Sequence, residues 1–231
     1  MRRRRILNDI DWLWQKDIAL TCLLVLLLMY IFFLYPLGQV GSFRPLTSGL
    51  FSLILISGAI AVSGHSFFKT LVFSWAFLAF ILLWAKHLFP HQIFIIAADY
   101  LAIFFLVLLV FLILSQALRE GETTTHRIMG GVAAYLILGL TWYLGYHLVA
   151  LGFPEAFSVQ GSPSSADRAS LPSQLFYFSF VTLTSIGYGD IVAVHPVARM
   201  LVILEGVTGQ LFPVILIARL VSLYVQSKRK T

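Results

Sequence analysis

Long apolar runs, broken by short polar clusters, fill most of this chain. A helix that crosses a bilayer needs about 20 mostly apolar residues. Six segments reach or approach that length, at about 18–37, 47–64, 67–88, 92–118, 128–152 and 195–226. A seventh apolar segment, about 171–184, is too short to cross and lies directly before a glycine-rich stretch. It reads as a re-entrant half-helix, which is tolerated at membrane depth only when buried in protein. The pattern predicts an all-α membrane protein: six transmembrane helices, with a re-entrant helix and a loop between the fifth and the sixth.

The same pattern divides the chain. Residues 1–17 form a cytoplasmic N-terminal segment, 18–118 a four-helix transmembrane module, 128–226 a two-helix module with the re-entrant segment, and 227–231 a short cytoplasmic tail. Within the first segment, Ile6, Ile10, Trp12, Leu13 and Trp14 lie among Asp9, Asp11 and Lys16. They suit either an interfacial helix with its tryptophans at headgroup level or a frayed tail, and the residues leave both open. Pro154 to Pro172 contains Gly161-Ser162-Pro163-Ser164-Ser165 and reads as an extracellular loop. Few residues follow the last span, and no cytoplasmic ligand-binding domain is expected there.

Composition agrees with this division. The 231 residues are 59% hydrophobic and 11% charged, a membrane rather than a soluble balance. The net charge of +6 sits at chain ends and span flanks, so it sets topology and does not point to nucleic acid. With the N-terminus in the cytoplasm, twelve Lys and Arg fall inside: Arg2 to Arg5, Lys16, Lys69, Arg119, Arg127, Arg219, Lys228, Arg229 and Lys230. Four fall outside: Arg44, Lys86, Arg168 and Arg199. This positive-inside bias puts both termini in the cytoplasm and the glycine-rich loop near the outer face. Arg2 to Arg5 look like the start of a signal peptide, but no cleavage pattern follows the apolar run, which is read as a retained first span. The single cysteine, Cys22, lies in an apolar run and reads as a packing residue.

The loop carries the chemistry. Thr182-Leu183-Thr184-Ser185-Ile186-Gly187-Tyr188-Gly189-Asp190 can present a row of backbone carbonyls to a dehydrated cation. Gly187 and Gly189 allow backbone angles that turn consecutive carbonyls one way. These residues resemble the selectivity-filter signature of potassium channels, T-x-x-T-x-G-Y-G-D. Ser185 stands where that family usually has Thr, and Ile186 where it has Val. The resemblance implies a filter of Thr184, Ser185, Ile186, Gly187, Tyr188, Gly189 and Asp190, with K⁺ at the backbone carbonyls of Ser185, Ile186, Gly187 and Tyr188. It also implies a homotetramer, since each chain carries one loop, and a multi-pass protein of the bacterial inner membrane among lipids, with K⁺ as permeant ion and no cofactor.

The last hundred residues are similar to the family's pore module: outer helix, turret, pore helix, filter and inner helix. Tyr177 and Phe178 stand where many members have two tryptophans, so a hydrogen bond from there to Asp190 must come from the Tyr177 hydroxyl. Val181 and Thr182 complete the expected filter support. Gly209 falls at the family's hinge position and Pro213 follows one turn later. With Gly206 and Gln210 they make the expected inner-helix hinge and cavity lining. The alternative for Gly209 is close packing against the pore helix. Arg199 and Arg219 lie twenty residues apart, a helical rise of ~30 Å that matches a hydrocarbon core. Glu205 is an acid inside the inner helix. It is expected to brace the filter through Ser179, Thr182 or Thr184, because a buried carboxyl must be satisfied or neutral. His195, five residues after the filter, offers a site for extracellular pH sensitivity.

Four helices before a pore suggest a voltage sensor, but the fourth span has no Arg or Lys. Sensor-type voltage gating is therefore not expected. That span carries Asp99, for which Lys86 is an expected partner. His87, His91 and His147 have no metal-ligand spacing. No nucleophile, metal cluster or phosphate loop marks an enzyme. The function implied is a potassium-selective channel, with a non-selective cation channel or a non-conducting sensor or accessory subunit as alternatives.

Overall fold

A computed structural model describes residues 20–34, 44–62, 74–82, 84, 91–118, 125–160 and 170–228. The expected interfacial helix before residue 17, Lys86, His87, the tip of the turret and the tail from residue 229 lie outside them. Seven helices and two strands follow in order. Helix α1 spans 20–29 and passes into a π-helical turn at Tyr30–Leu34. Helices α2 (Arg44–Val62), α3 (74–82), α4 (Gln92–Ala117) and α5 (Thr125–Gly152) come next. Then come strand β1 (Phe157–Val159), helix α6 (Leu171–Leu183), strand β2 (Ile191–Ala193) and helix α7 (Pro196–Lys228).

Among the described residues, α4, α5 and α7 contain stretches long and apolar enough to cross a membrane; those within α1 and α2 are shorter. The expected boundaries of the last four helical elements agree with the observed ones to within three residues. The purely α-helical expectation needs one correction. β1 and β2 pair antiparallel, with Phe157 opposite Ala193, Ser158 opposite Val192 and Val159 opposite Ile191. The pairing joins the base of the turret to the segment after the glycine-rich loop. Three residues per strand are too few for a period-2 signal to stand out in sequence.

The main core is built from α1 to α5. Leu23 and Leu27 of α1, Ile54 and Leu55 of α2, Phe105, Leu106 and Leu109 of α4, and Ile137 and Leu140 of α5 are all buried in one cluster. Phe176 of α6 reaches into it and meets Tyr30 edge-on at 6.3 Å and Tyr143 at 5.5 Å. A second cluster holds the outer end of the two-helix module. Tyr146, Ala150, Leu175, Phe178 and Ile191 are its buried members. The rings of Tyr146, Phe157 and Phe178 pack mutually at 5.2 to 5.7 Å.

Helix α4 is tied to the two-helix module by two polar contacts. Asp99 Oδ2 lies 2.6 Å from His147 Nδ1 on α5. Arg219 of α7 donates to the Leu118 carbonyl at 3.4 Å, a cation at a helix C-terminus, where the dipole favours one. His147, rather than the expected Lys86, is therefore the observed partner of the Asp99 carboxylate among the described residues.

Candidate functional site

Helix α6 starts at a proline-bearing first turn, with Pro172 inside it, where a missing N–H costs nothing. Its first turn is closed by the Ser173 hydroxyl, which donates to the Ser170 carbonyl at 2.6 Å. Its last turn folds back on itself. The N–H groups of Ile186 and Gly187 both reach the Val181 carbonyl, at 3.0 and 3.4 Å, and Ser185 N–H reaches the Thr182 carbonyl at 2.9 Å. Thr184 caps the same turn through its hydroxyl, 2.6 Å from the Phe180 carbonyl. Val181 and Thr182 therefore support the loop through backbone oxygens.

The loop then takes an unusual course. Ser185 has φ 59°, Gly187 φ 58° and Gly189 φ 78°. These alternate positions lie in the left-handed region, which costs a non-glycine residue roughly 1–2 kcal/mol. Alternating handedness turns successive peptide planes the same way, so their carbonyls gather on one side of the strand instead of alternating. Ser185 is the one non-glycine among them, and its hydroxyl is engaged: Gln210 Nε2 of α7 donates to it at 2.5 Å.

The outer end of the loop is fastened to β1 and α6. Gln160 donates its backbone N–H to the Asp190 carbonyl at 2.9 Å and its side-chain amide to the Gly189 carbonyl at 3.3 Å. The Tyr177 ring is exposed on α6, and its phenol lies near enough to the Asp190 side chain to interact with it. Phe178 turns the other way, into the cluster with Tyr146 and Phe157. The two neighbouring aromatics thus divide the work, one reaching the loop and the other anchoring the helix.

Two helices grip the loop's base at one carbonyl. The Tyr135 hydroxyl of α5 donates to the Leu183 carbonyl at 3.0 Å. From the other side Gly209 of α7 approaches so closely that a Cβ there would lie 2.1 Å from the same oxygen. Close packing is thus a sufficient reason for glycine at 209. Gly206 has open space at its Cβ position, and α7 continues through Pro213 to Lys228.

Glu205 is fully buried behind α6. Ser179 Oγ lies 2.6 Å from its Oε1, and the Tyr146 hydroxyl is bonded to its Oε2. Of the three expected partners, Ser179 is present, while Thr184 bonds within its own helix. Tyr146, Tyr135 and Gln160 were missed by sequence reasoning. Tyr135, Gly139 and Tyr146 recur at four- and seven-residue spacings on one face of α5, the signal that could have found the first two. His195 stacks on Phe153 at 4.0 Å and accepts the Val197 N–H at 3.3 Å.

The loop and α7 are poorly covered within one chain. Ile186 and Tyr188 are 55% and 71% exposed, and Met200, Ile203, Val207, Leu211 and Val214 form an exposed apolar face. No group of three metal-ligating His, Cys, Asp or Glu side chains occurs among the described residues.

Comparison with known proteins gives the same region. Residues 132–226 match the family model described as "Ion channel". Over 87 residues the chain is 31% identical to "Protein LctB" of Bacillus caldotenax, a match covering 38% of this chain and 64% of that relative. The chain therefore spans a little under two thirds of the relative's length. No solved structure matches.

Proposed function

We propose, from the match of residues 132–226 to an ion-channel family model and the likeness of their loop to a potassium filter, that this membrane protein is a potassium-selective channel. Four copies surround one axis. Rings of carbonyls from Ser185, Ile186, Gly187 and Tyr188 replace the hydration shell of K⁺. The observation that carries this reading is the left-handed backbone at Ser185, Gly187 and Gly189, because it aligns carbonyls that an ordinary strand would point to alternate sides.

The assembly follows from exposure. An apolar α7 face and an exposed Tyr188 ring need cover, and neighbouring copies around the filter supply it. Gln210 faces the inner end of the filter and lines the cavity; Gly206, Gly209 and Pro213 set how α7 bends below it. Six spans cross the membrane, with α1 to α3 completing the first three. The positive-inside distribution keeps both termini in the cytoplasm, and the relative's bacterial source accords with an inner membrane.

Passive K⁺ uptake into vesicles holding the purified protein tests the reading. Equal uptake of Na⁺ would favour a non-selective pore, and absence of both a non-conducting subunit.

A further inference from the structure

Three short oxygen–oxygen contacts meet behind the pore helix. The Tyr146 hydroxyl contacts Glu205 Oε2, Ser179 Oγ contacts Glu205 Oε1 at 2.6 Å, and Ser179 Oγ also contacts the Gly139 carbonyl at 2.8 Å. Each contact needs one hydrogen between its oxygens. Tyr146 supplies one and Ser179 supplies one; a carbonyl and a carboxylate supply none. Two hydrogens fill three contacts only if Ser179 divides one between two acceptors; three full hydrogen bonds need a third hydrogen, and the carboxyl group is the place for it.

We infer that Glu205 is held as a neutral carboxylic acid that clamps three helices behind the filter. Its proton sits on Oε1 and is donated to Ser179 Oγ. Ser179 then gives its own hydrogen to the Gly139 carbonyl, and Tyr146 donates to Oε2. Every oxygen at the junction is satisfied, and no charge is buried. An ionised Glu205 would be costly here, since a buried carboxylate needs a paired cation. Among the described residues no Lys, Arg or His pairs with it. The titratable groups that face it are Tyr146 and Tyr135, both from α5. The pore helix presents the non-titrating Ser179 hydroxyl, and the Phe157 ring of β1 packs on Tyr146.

The clamp makes Glu205 a positioning residue. Ser179 lies two residues before Val181, whose carbonyl holds the N–H groups of Ile186 and Gly187. The depth of α6 between α5 and α7 therefore sets where the filter loop begins. Removing the proton leaves the Ser179 hydrogen contested between Glu205 and Gly139 and loosens that seating. This positioning role rests on the channel reading, whereas the protonation state does not.

Infrared spectra of the full-length protein in lipid vesicles test the proton. At neutral pH the wild type is expected to show a carboxylic-acid carbonyl stretch that Glu205→Gln lacks and Ser179→Ala shifts. A wild-type spectrum in which only a carboxylate band disappears in Glu205→Gln would overturn the inference. Cation flux against pH tests the positioning role. Wild-type flux is expected to fall on alkalinisation, whereas Glu205→Gln, whose amide can make the same contacts, stays within about twofold of neutral wild type and loses that fall. An identical alkaline fall in Glu205→Gln would overturn the role. Absence of flux in every protein would contradict the channel reading and leave the infrared result to decide the proton.

Discussion

The side-chain amide of Gln210 holds the hydroxyl of Ser185 at 2.5 Å, so α7 grips the start of the glycine-bearing loop directly. Ser185 takes a left-handed backbone without being glycine, and this hydrogen bond helps offset the strain. Replacing Gln210 with Leu removes the donor. The expected loss is about 1 kcal/mol of unfolding free energy per subunit, together with a lower K⁺ over Na⁺ permeability ratio. Thermal unfolding and reversal potentials measure the two. No change in either would mean that Ser185 holds its conformation unaided.

Gly209 tests packing against hinging. An added Cβ would press on the Leu183 carbonyl, so Gly209→Ala is expected to destabilise by about 1–3 kcal/mol through overpacking. Gly206→Ala, with open space at that position in the chain, is expected to cost less. Melting temperatures in detergent rank the two. A fully stable Gly209→Ala protein with altered open probability would favour the hinge.

The Asp99–His147 contact links α4 to α5. Asp99→Ala is expected to cost about 1–3 kcal/mol, because the half-buried imidazole loses its partner. A double-mutant cycle with His147→Ala should give a coupling energy above about 0.5 kcal/mol. Additive losses would show that the contact contributes nothing of its own.

Voltage should act weakly. A gating charge supplies about 2.3 kcal/mol per 100 mV, and α4 carries no Arg or Lys from Gln92 to Ala117. Its one acid, Asp99, is paired and buried. Open probability in planar bilayers is expected to change little across the voltage range. Steep gating that survives exchange of the permeant ion would contradict this.

The parts of the molecule that sequence made legible are those governed by length and local chemistry. Apolar runs marked α4 to α7 because a bilayer demands length, and the alternating glycines marked the loop because few residues accept positive φ. What escaped were contacts between helices. His147 meets Asp99, and Tyr146 meets Glu205, only because α5 is rotated to present those side chains to α4 and α7. That rotation is decided by packing across the whole core, from Leu23 to Phe176, and no single helix encodes it. The strand pair escaped for another reason: its register depends on Ala156 and Gln160 bonding backbone on the far side of the loop.

The central claim is that aligned carbonyls at the Ser185–Tyr188 loop select K⁺. The most direct measurement is the reversal potential of the reconstituted wild-type protein with K⁺ on one side of the bilayer and Na⁺ on the other. A reversal potential displaced strongly in the direction set by the K⁺ gradient is the predicted result. A current that reverses near zero would contradict it.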